Sequence, residues 1–233
     1  MLACPLCSCK TAKFYGQGHA PVIAFEEILG GAPLAIETSY YQCVECGLIY
    51  QNPRLSNVSL NELYSSGDYR KLLNNTQENI DKDEMERQER IAPKITGTGS
   101  HLDIGCSRGY LLSMSQAVGR VVMGVEPNAN YTNEGIEVVA SLDDVSGKWD
   151  WITCLHVFEH VPDPVGYAAK IIDLLNPGGC LILEVPSENS KGGPLRLWHL
   201  FLFKPPVIMR IFEGLRLLSF TETPHYLFVF EKG

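Results

Sequence analysis

Apolar and polar positions follow a regular pattern in the second half of this chain. Ser100–Ile104, Val121–Val125, 150–155 and 180–185 are short and mostly apolar, as strands of a buried parallel sheet must be. Between them the pattern predicts helices over 110–118, 130–135 and 165–175, the last stopped by Asn176-Pro177-Gly178-Gly179. A helix over 206–212 and two strands, 215–223 and Tyr226–Glu231, complete the series, with Pro224-His225 as the turn between the strands. Strands alternating with helices predict an α/β fold, here ending in an antiparallel hairpin. His225 falls on that turn and is expected to be exposed.

The first half reads differently. Phe14, Val22, Ile23, Phe25 and Tyr40-Tyr41 mark short strands, with a loop or hairpin turn at Gly30-Gly31 and Ala32-Pro33. A short helix is predicted over 55–64, capped by Ser56 or Ser59, and a loop over 65–70. Residues 76–91 carry Asp81, Asp83, Glu84, Glu86, Arg87, Glu89 and Arg90. They predict an exposed helix held down by Ile80, Met85 and Ile91; a protein-docking helix is the other reading. The organisation expected is a small module at 1–54, a helical linker at 55–95 and an α/β domain at 96–233.

Composition narrows the class. A length of 233 residues with 45% hydrophobic positions supports a real core. The net charge of −8 argues against a general nucleic-acid-binding surface. No apolar run reaches the ~18 residues needed to span a bilayer. The first residues show no basic segment followed by an apolar one, so a signal peptide is not expected and the chain reads as cytoplasmic.

Eight cysteines divide into two groups. Cys106, Cys154 and Cys180 fall in or beside predicted strands and read as small buried hydrophobes. Cys4-Pro5-Leu6-Cys7 and Cys43-Val44-Glu45-Cys46 are C-x-x-C knuckles, with Gly47 following the second. Two such knuckles supply the tetrahedral four-sulfur shell that structural zinc prefers, with no position left open for catalysis. Disulfides are the alternative, disfavoured in a reducing compartment. Cys9 is a spare thiol.

The densest chemical signal is Leu102-Asp103-Ile104-Gly105-Cys106-Ser107-Arg108-Gly109. Gly105 and Gly109 allow a tight bend and close approach to a ligand. Glu126 closes the next strand, where a carboxylate can accept hydrogen bonds from both ribose hydroxyls. A nucleoside-containing ligand is expected. The glycine spacing is not the G-x-G-x-x-G of a dinucleotide site.

Four blocks in order resemble the class I S-adenosylmethionine-dependent methyltransferases. They are 102–109, the strand ending at Glu126, the strand running into His156-Val157-Phe158-Glu159-His160-Val161-Pro162-Asp163-Pro164, and the segment 175–186. The resemblance implies a Rossmann-like doubly wound sheet of seven strands in the order 3-2-1-4-5-7-6, and S-adenosylmethionine as cofactor. Asp103 then suits the cationic amino group of the methionine moiety, with Gly105, Cys106, Ser107 and Gly109 in the turn. Glu126, Pro127, Leu142, Leu155 and His156 are the further cofactor candidates. The block 41–54 is similar to zinc ribbons that precede many bacterial methyltransferase domains, which assigns structural zinc to Cys4, Cys7, Cys43 and Cys46. In relatives a tyrosine ahead of the pocket helix often covers the ligand, a role open to Tyr64 or Tyr69.

Ligands of open parallel sheets bind outside the carboxyl ends of the strands. His156 stands at such an end, Glu159 and His160 within the next turn, and His199 in the loop after the fifth strand. Methyl transfer to oxygen needs a base for the hydroxyl proton, and histidine suits this near neutral pH. His199 is the first choice and His156 and His160 follow; His160 belongs to a block that shapes the cofactor wall in relatives. The segment 187–205, with Leu195, Leu197, Trp198, Leu200, Phe201, Leu202 and Phe203, reads as a substrate lid or as a membrane-contacting stretch. The acceptor expected is a small hydroxylated molecule such as a sugar, polysaccharide precursor or secondary metabolite.

Two alternatives stand beside this. Small-RNA 2′-O-methyltransferases and some ubiquinone-pathway O-methyltransferases hold a divalent metal through Glu-x-x-Glu-His, and here His156 replaces the first glutamate. A degenerate fold kept as a protein-binding scaffold is the other, opposed by the presence of Asp103, Gly105, Gly109 and Glu126.

Overall fold

The computed structural model describes residues 3–18, 38–54, 77–128, 135–190, 195–196, 198–222 and 224–233. The expected helix over 55–64, residues 130–134 of that expected over 130–135, the loop over 65–70, Tyr64, Tyr69 and Leu197 lie outside the described residues.

Six strands of the main sheet form where the apolar runs predict them, and a seventh, Glu137–Val139, is not marked by the pattern. The sheet's strands are β4 (Ser100–Ile104), β5 (Val121–Val125), β6 (Glu137–Val139), β7 (Trp149–Leu155), β8 (Leu175–Val185), β10 (Arg216–Thr221) and β11 (Tyr226–Glu231). They lie in the order β10-β11-β8-β7-β4-β5-β6, which is the expected 3-2-1-4-5-7-6 arrangement. β6, β5, β4, β7 and β8 run parallel; β11 runs antiparallel to β8 and to β10, so it is the one reversed strand of this sheet among the described residues. Helices α1 (Gln77–Ile91), α2 (Tyr110–Ala117), α3 (Pro164–Leu174) and α4 (Pro205–Ile211) complete the domain. Asp163 caps α3 by accepting from Gly166 N, and Pro164 sits in its first turn, where a missing N–H costs nothing.

A second sheet, β1-β2-β3-β9, is built from the N-terminal module and one strand of the α/β domain. β1 (Ala12–Gly18), β2 (Thr38–Cys43) and β3 (Ile49–Asn52) form an antiparallel meander. β9 (Phe201–Leu202) adds to β3 with Tyr50 opposite Phe201 and Ile49 opposite Leu202. The main core is accordingly continuous: Cys4, Cys43, Leu48 and Tyr50 share it with Phe158, Phe201, Phe203 and Phe230.

Several expectations are corrected. Among the described apolar residues of 187–205, Trp198, Leu200, Phe201, Leu202 and Phe203 are buried, and Phe201 and Leu202 form β9 of the second sheet, so they present neither an open lid nor a membrane face. Asn176-Pro177-Gly178-Gly179 does not separate helix from strand: β8 starts at Leu175, which pairs with Trp149 of β7, and Gly178 N and Lys232 N pair with Lys232 O and Gly179 O at 2.7 and 2.9 Å. Met85 of α1 is exposed, and of the apolar residues proposed to hold the helix Ile91 is buried. No helix among the described residues is long and apolar enough to cross a membrane.

Candidate active site and cysteine cluster

The turn after β4 is set by two backbone bonds, Gly105 N and Cys106 N both donating to Val125 O at 2.7 and 3.1 Å. Gly105 (φ 75°) and Gly109 (φ 70°) take left-handed conformations, and so does Ser107 (φ 49°). At the end of β5 the Glu126 carboxylate accepts from Ser107 N and Asn128 N, each at 3.0 Å. Both oxygens are thereby oriented at the carboxyl edge of adjacent strands. Asp103 is buried one position before the end of β4. Burial raises its carboxyl to about 7, and Glu126 adds to this, while the Thr153 hydroxyl, donating at 2.5 Å, opposes it. A ligand ammonium would restore the ionised form.

Behind Asp103 runs a buried polar chain. Thr153 has one hydroxyl proton and gives it to Asp103, so His101 Nε2, 2.9 Å from Thr153 Oγ1, must be the donor of that pair. His101 Nδ1 then accepts from Ser115 Oγ at 2.8 Å. Burial, aided by Arg120, depresses His101 to about 3, consistent with the neutral ring this chain of bonds requires.

Past β7, His156 adopts φ 56°, a strained conformation for a residue with a side chain. Its Nδ1 lies 3.4 Å from Glu159 Oε1 and its Nε2 3.1 Å from Glu184 Oε1. Burial opposes its protonation, but the two carboxylates outweigh it and raise the pKa. Glu184 is fully buried in β8 and also meets Arg90 at 2.6 Å and Arg87 at 3.6 Å, both from α1. Despite burial, His156 and Arg90 hold Glu184 at about 2; His160 and His156 do the same for Glu159. His225 is half-buried rather than exposed: the hairpin folds over the end of β8, so its ring packs 4.4 Å from His156 and Nδ1 meets Ser190 Oγ at 2.9 Å. Glu159, His160 and His199 offer ligand atoms within 4.8 Å of one another. His160 Nδ1 is 2.7 Å from Trp198 O, and the His160 and His199 rings stand 5.1 Å apart.

The cysteines of the two knuckles converge. Their four sulfurs lie within 4.8 Å of one another, with Cys4–Cys46 and Cys7–Cys43 at 3.5 Å. A zinc tetrahedron with ~2.3 Å bonds has sulfur–sulfur edges of ~3.8 Å, so the residues fit that ion. Gly47, at φ 75°, closes the second knuckle, its N donating to Cys43 O at 3.1 Å. Burial works against a Cys43 thiolate, yet donors from Cys46 and Glu45 lower it to about 6. Cys9 stands apart, with its sulfur against Thr11.

A family model described as a methyltransferase domain matches residues 76–215, more than half of the chain. The chain belongs to this methyltransferase family. The relatives include ubiquinone biosynthesis O-methyltransferases of Coxiella burnetii, 32% identical over 123 residues (45% of this chain, 51% of the relative), and of Escherichia fergusonii, 31% identical over 107 residues (39% and 44%). The chain thus spans about half the length of the curated relatives it matches. Among solved structures, a Burkholderia thailandensis 1,6-didemethyltoxoflavin-N1-methyltransferase with bound S-adenosylhomocysteine covers 85% of this chain and 97% of its own, at TM-score 0.59 and 18% identity. A Synechocystis magnesium protoporphyrin IX methyltransferase with bound SAM covers 78% and 100%, at 0.58 and 17%. At such identity these establish the class I methyltransferase fold.

Within the methyltransferase domain, Asp103, Gly105, Ser107, Gly109 and Glu126 come together at one edge of the sheet. The Cys106 side chain turns away to pack with Leu112 and Ile136, leaving its backbone to the turn. Leu142 is buried in the 3-10 turn Leu142–Asp144, Leu155 is half-buried at the end of β7, and Pro127 is exposed. Sequence reasoning missed Thr153, His101, Glu184 and the Arg87/Arg90 pair. A threonine and a glutamate inside otherwise apolar strands were the available signals, together with two arginines spaced to share one helix face.

Proposed function

We propose that this chain transfers a methyl group from S-adenosylmethionine to a hydroxyl oxygen of a small acceptor, with His199 as the general base. The observation carrying this is the convergence of His156, Glu159, His160 and His199 beyond the carboxyl end of β7, the strand that pairs with β4. Glu126 would bind the ribose hydroxyls and Asp103 the amino group; Gly105, Cys106, Ser107 and Gly109 would line the approach through their backbone, with Pro127, Leu142, Leu155 and His156 around the nucleoside. The cofactor supplies an electrophilic methyl carbon when bound, so the chain's residues need only orient the acceptor and take its proton. The names of the curated relatives support an oxygen acceptor. We further propose that Cys4, Cys7, Cys43 and Cys46 hold a structural zinc ion, in a ribbon spanning 1–54. The test is release of S-adenosylhomocysteine with a panel of hydroxylated probes, a catechol and a sugar nucleotide among them, in the chain and in its His199→Ala variant. Release that is equal in both, or absent with every probe, would refute this reading.

A second reading rests on the geometry of His160. Its Nδ1 faces a carbonyl, which can only accept, so the neutral ring carries its proton there and presents the Nε2 lone pair toward Glu159 and His199. Glu159, His160 and His199 could then hold a divalent ion that positions the acceptor oxygen. Loss of turnover in a chelator that leaves cysteine-bound zinc in place, restored by added metal, would favour it over the metal-free base.

A further inference from the structure

The second sheet joins the cysteine module directly to the turn that carries His199. Leu195 packs with Tyr40, Ile49 and Leu202, and His199 N donates to Arg196 O at 2.9 Å. The Tyr40 phenol, from the middle of β2, is buried beneath this turn. Its hydroxyl reaches Arg196 O at 2.5 Å and also contacts His199 O. One residue on, Leu200 O accepts from Gln51 N of β3 at 2.9 Å, while Leu200 N donates to Glu159 O at 2.9 Å. Tyr50 pairs with Phe201 immediately after. The backbone around His199 is therefore held from one side by the cysteine module and from the other by the turn bearing Glu159 and His160.

From this geometry we infer that Tyr40 is a positioning residue for His199, and that the cysteine module sets the placement of this histidine relative to Glu159 and His160. The inference deepens the proposed function, which makes His199 the base. It assigns the ribbon a task beyond bracing the fold. A hydroxyl whose single proton is shared between two carbonyls of one turn ties them together, and a loosened turn displaces the imidazole while leaving the Asp103–Glu126 edge untouched. Displacements of about 1 Å at a reacting group cost on the order of 10²-fold in rate.

Tyr40→Phe removes the hydroxyl and keeps the ring. Tyr41→Phe is the matched control: it lies on the same strand, with its ring stacked edge-on at 6.0 Å from Phe14. The measurements are imidazole NMR of the histidines in uniformly labelled chain, with resonances assigned by single replacements, kcat and its pH profile with a catechol probe, metal content, and affinity for S-adenosylhomocysteine. Tyr40→Phe should shift or broaden the His199 imidazole signals and leave those of His101 in place. It should lower kcat about 10- to 10²-fold and move its pH profile, with cofactor affinity and zinc content within about twofold, as expected of a change confined to the turn. Tyr41→Phe should change none of these. If His199→Ala abolishes turnover while Tyr40→Phe turns over normally with unmoved His199 signals, positioning fails and the base assignment survives. If His199→Ala turns over normally, the base assignment fails, and the His199 resonance alone decides positioning: unmoved in Tyr40→Phe, it overturns the inference.

Discussion

Gly105→Ala should damage both stability and cofactor binding, and the structure gives the size of the effect. Gly105 has φ 75°, where an added Cβ costs roughly 1–2 kcal/mol. That Cβ would also lie 2.2 Å from Val157 Cγ2. Val157 is β-branched and packed against the main core, so it cannot swing aside, and such overpacking costs a further ~1–3 kcal/mol. Any retreat of the turn instead pulls Gly105 N from Val125 O and Ser107 N from Glu126. Gly119 provides the comparison: φ is 84°, but nothing lies within 4 Å of an added Cβ. Its replacement by alanine bears only the backbone cost, partly offset by about 0.4–1 kcal/mol from the stiffer unfolded chain. Urea unfolding should therefore show Gly105→Ala less stable than Gly119→Ala by roughly 1–3 kcal/mol. Calorimetry should show weakened S-adenosylhomocysteine binding in Gly105→Ala alone. Equal stability and equal affinity in the two variants would refute the close approach of Val157 to this turn and the role given to it.

Other outcomes follow from the same contacts. Purified protein should carry about one zinc per chain by metal analysis. Because Cys43 belongs to the continuous core, Cys43→Ser should lower the melting temperature of the whole chain; a separate early transition confined to the module would contradict this. His199→Ala should reduce turnover by ~10²–10⁴-fold with cofactor affinity nearly intact, and an unchanged rate would remove it as base. Asp103, raised to about 7 by burial, holds a proton in the folded ligand-free chain between its ordinary acidic pKa and that value. The unfolded chain binds fewer protons in this window, so this residue makes stability fall as pH rises through it. Binding of an ammonium needs the ionised carboxylate, so affinity for S-adenosylhomocysteine should climb with pH and level off above about 7. A flat profile in calorimetry would rule out that pairing.

The strand positions were legible because short, mostly apolar runs such as Ser100–Ile104 and Val121–Val125 mark the strands of a parallel sheet, while the strand order came from the resemblance to the methyltransferases. The glycine turn and Glu126 were legible because conformation and chemistry constrain the residue types allowed there. Contacts set by distant segments were not. The early start of β8 reflects pairing of Leu175 with Trp149, and β9 pairing of two residues with β3; neither leaves a period in the local sequence. Arg87 and Arg90 read as part of a solvated helix face, since nothing nearby in sequence announces that Glu184 waits at the end of β8. His225 read as exposed for the same reason: its neighbours are His156 and Ser190, brought there by the fold.

Calorimetric titration of S-adenosylhomocysteine into the chain and its Glu126→Ala variant bears most directly on the cofactor-dependent methyl transfer proposed here. Glu126 is oriented by Ser107 N and Asn128 N, and its loss removes two charged acceptors from the ribose, each worth roughly 1.5–3 kcal/mol. The chain should bind one equivalent, and the folded variant should bind at least about 10²-fold more weakly. Absence of binding to the unaltered chain, or equal affinity in a folded Glu126→Ala, would contradict the account.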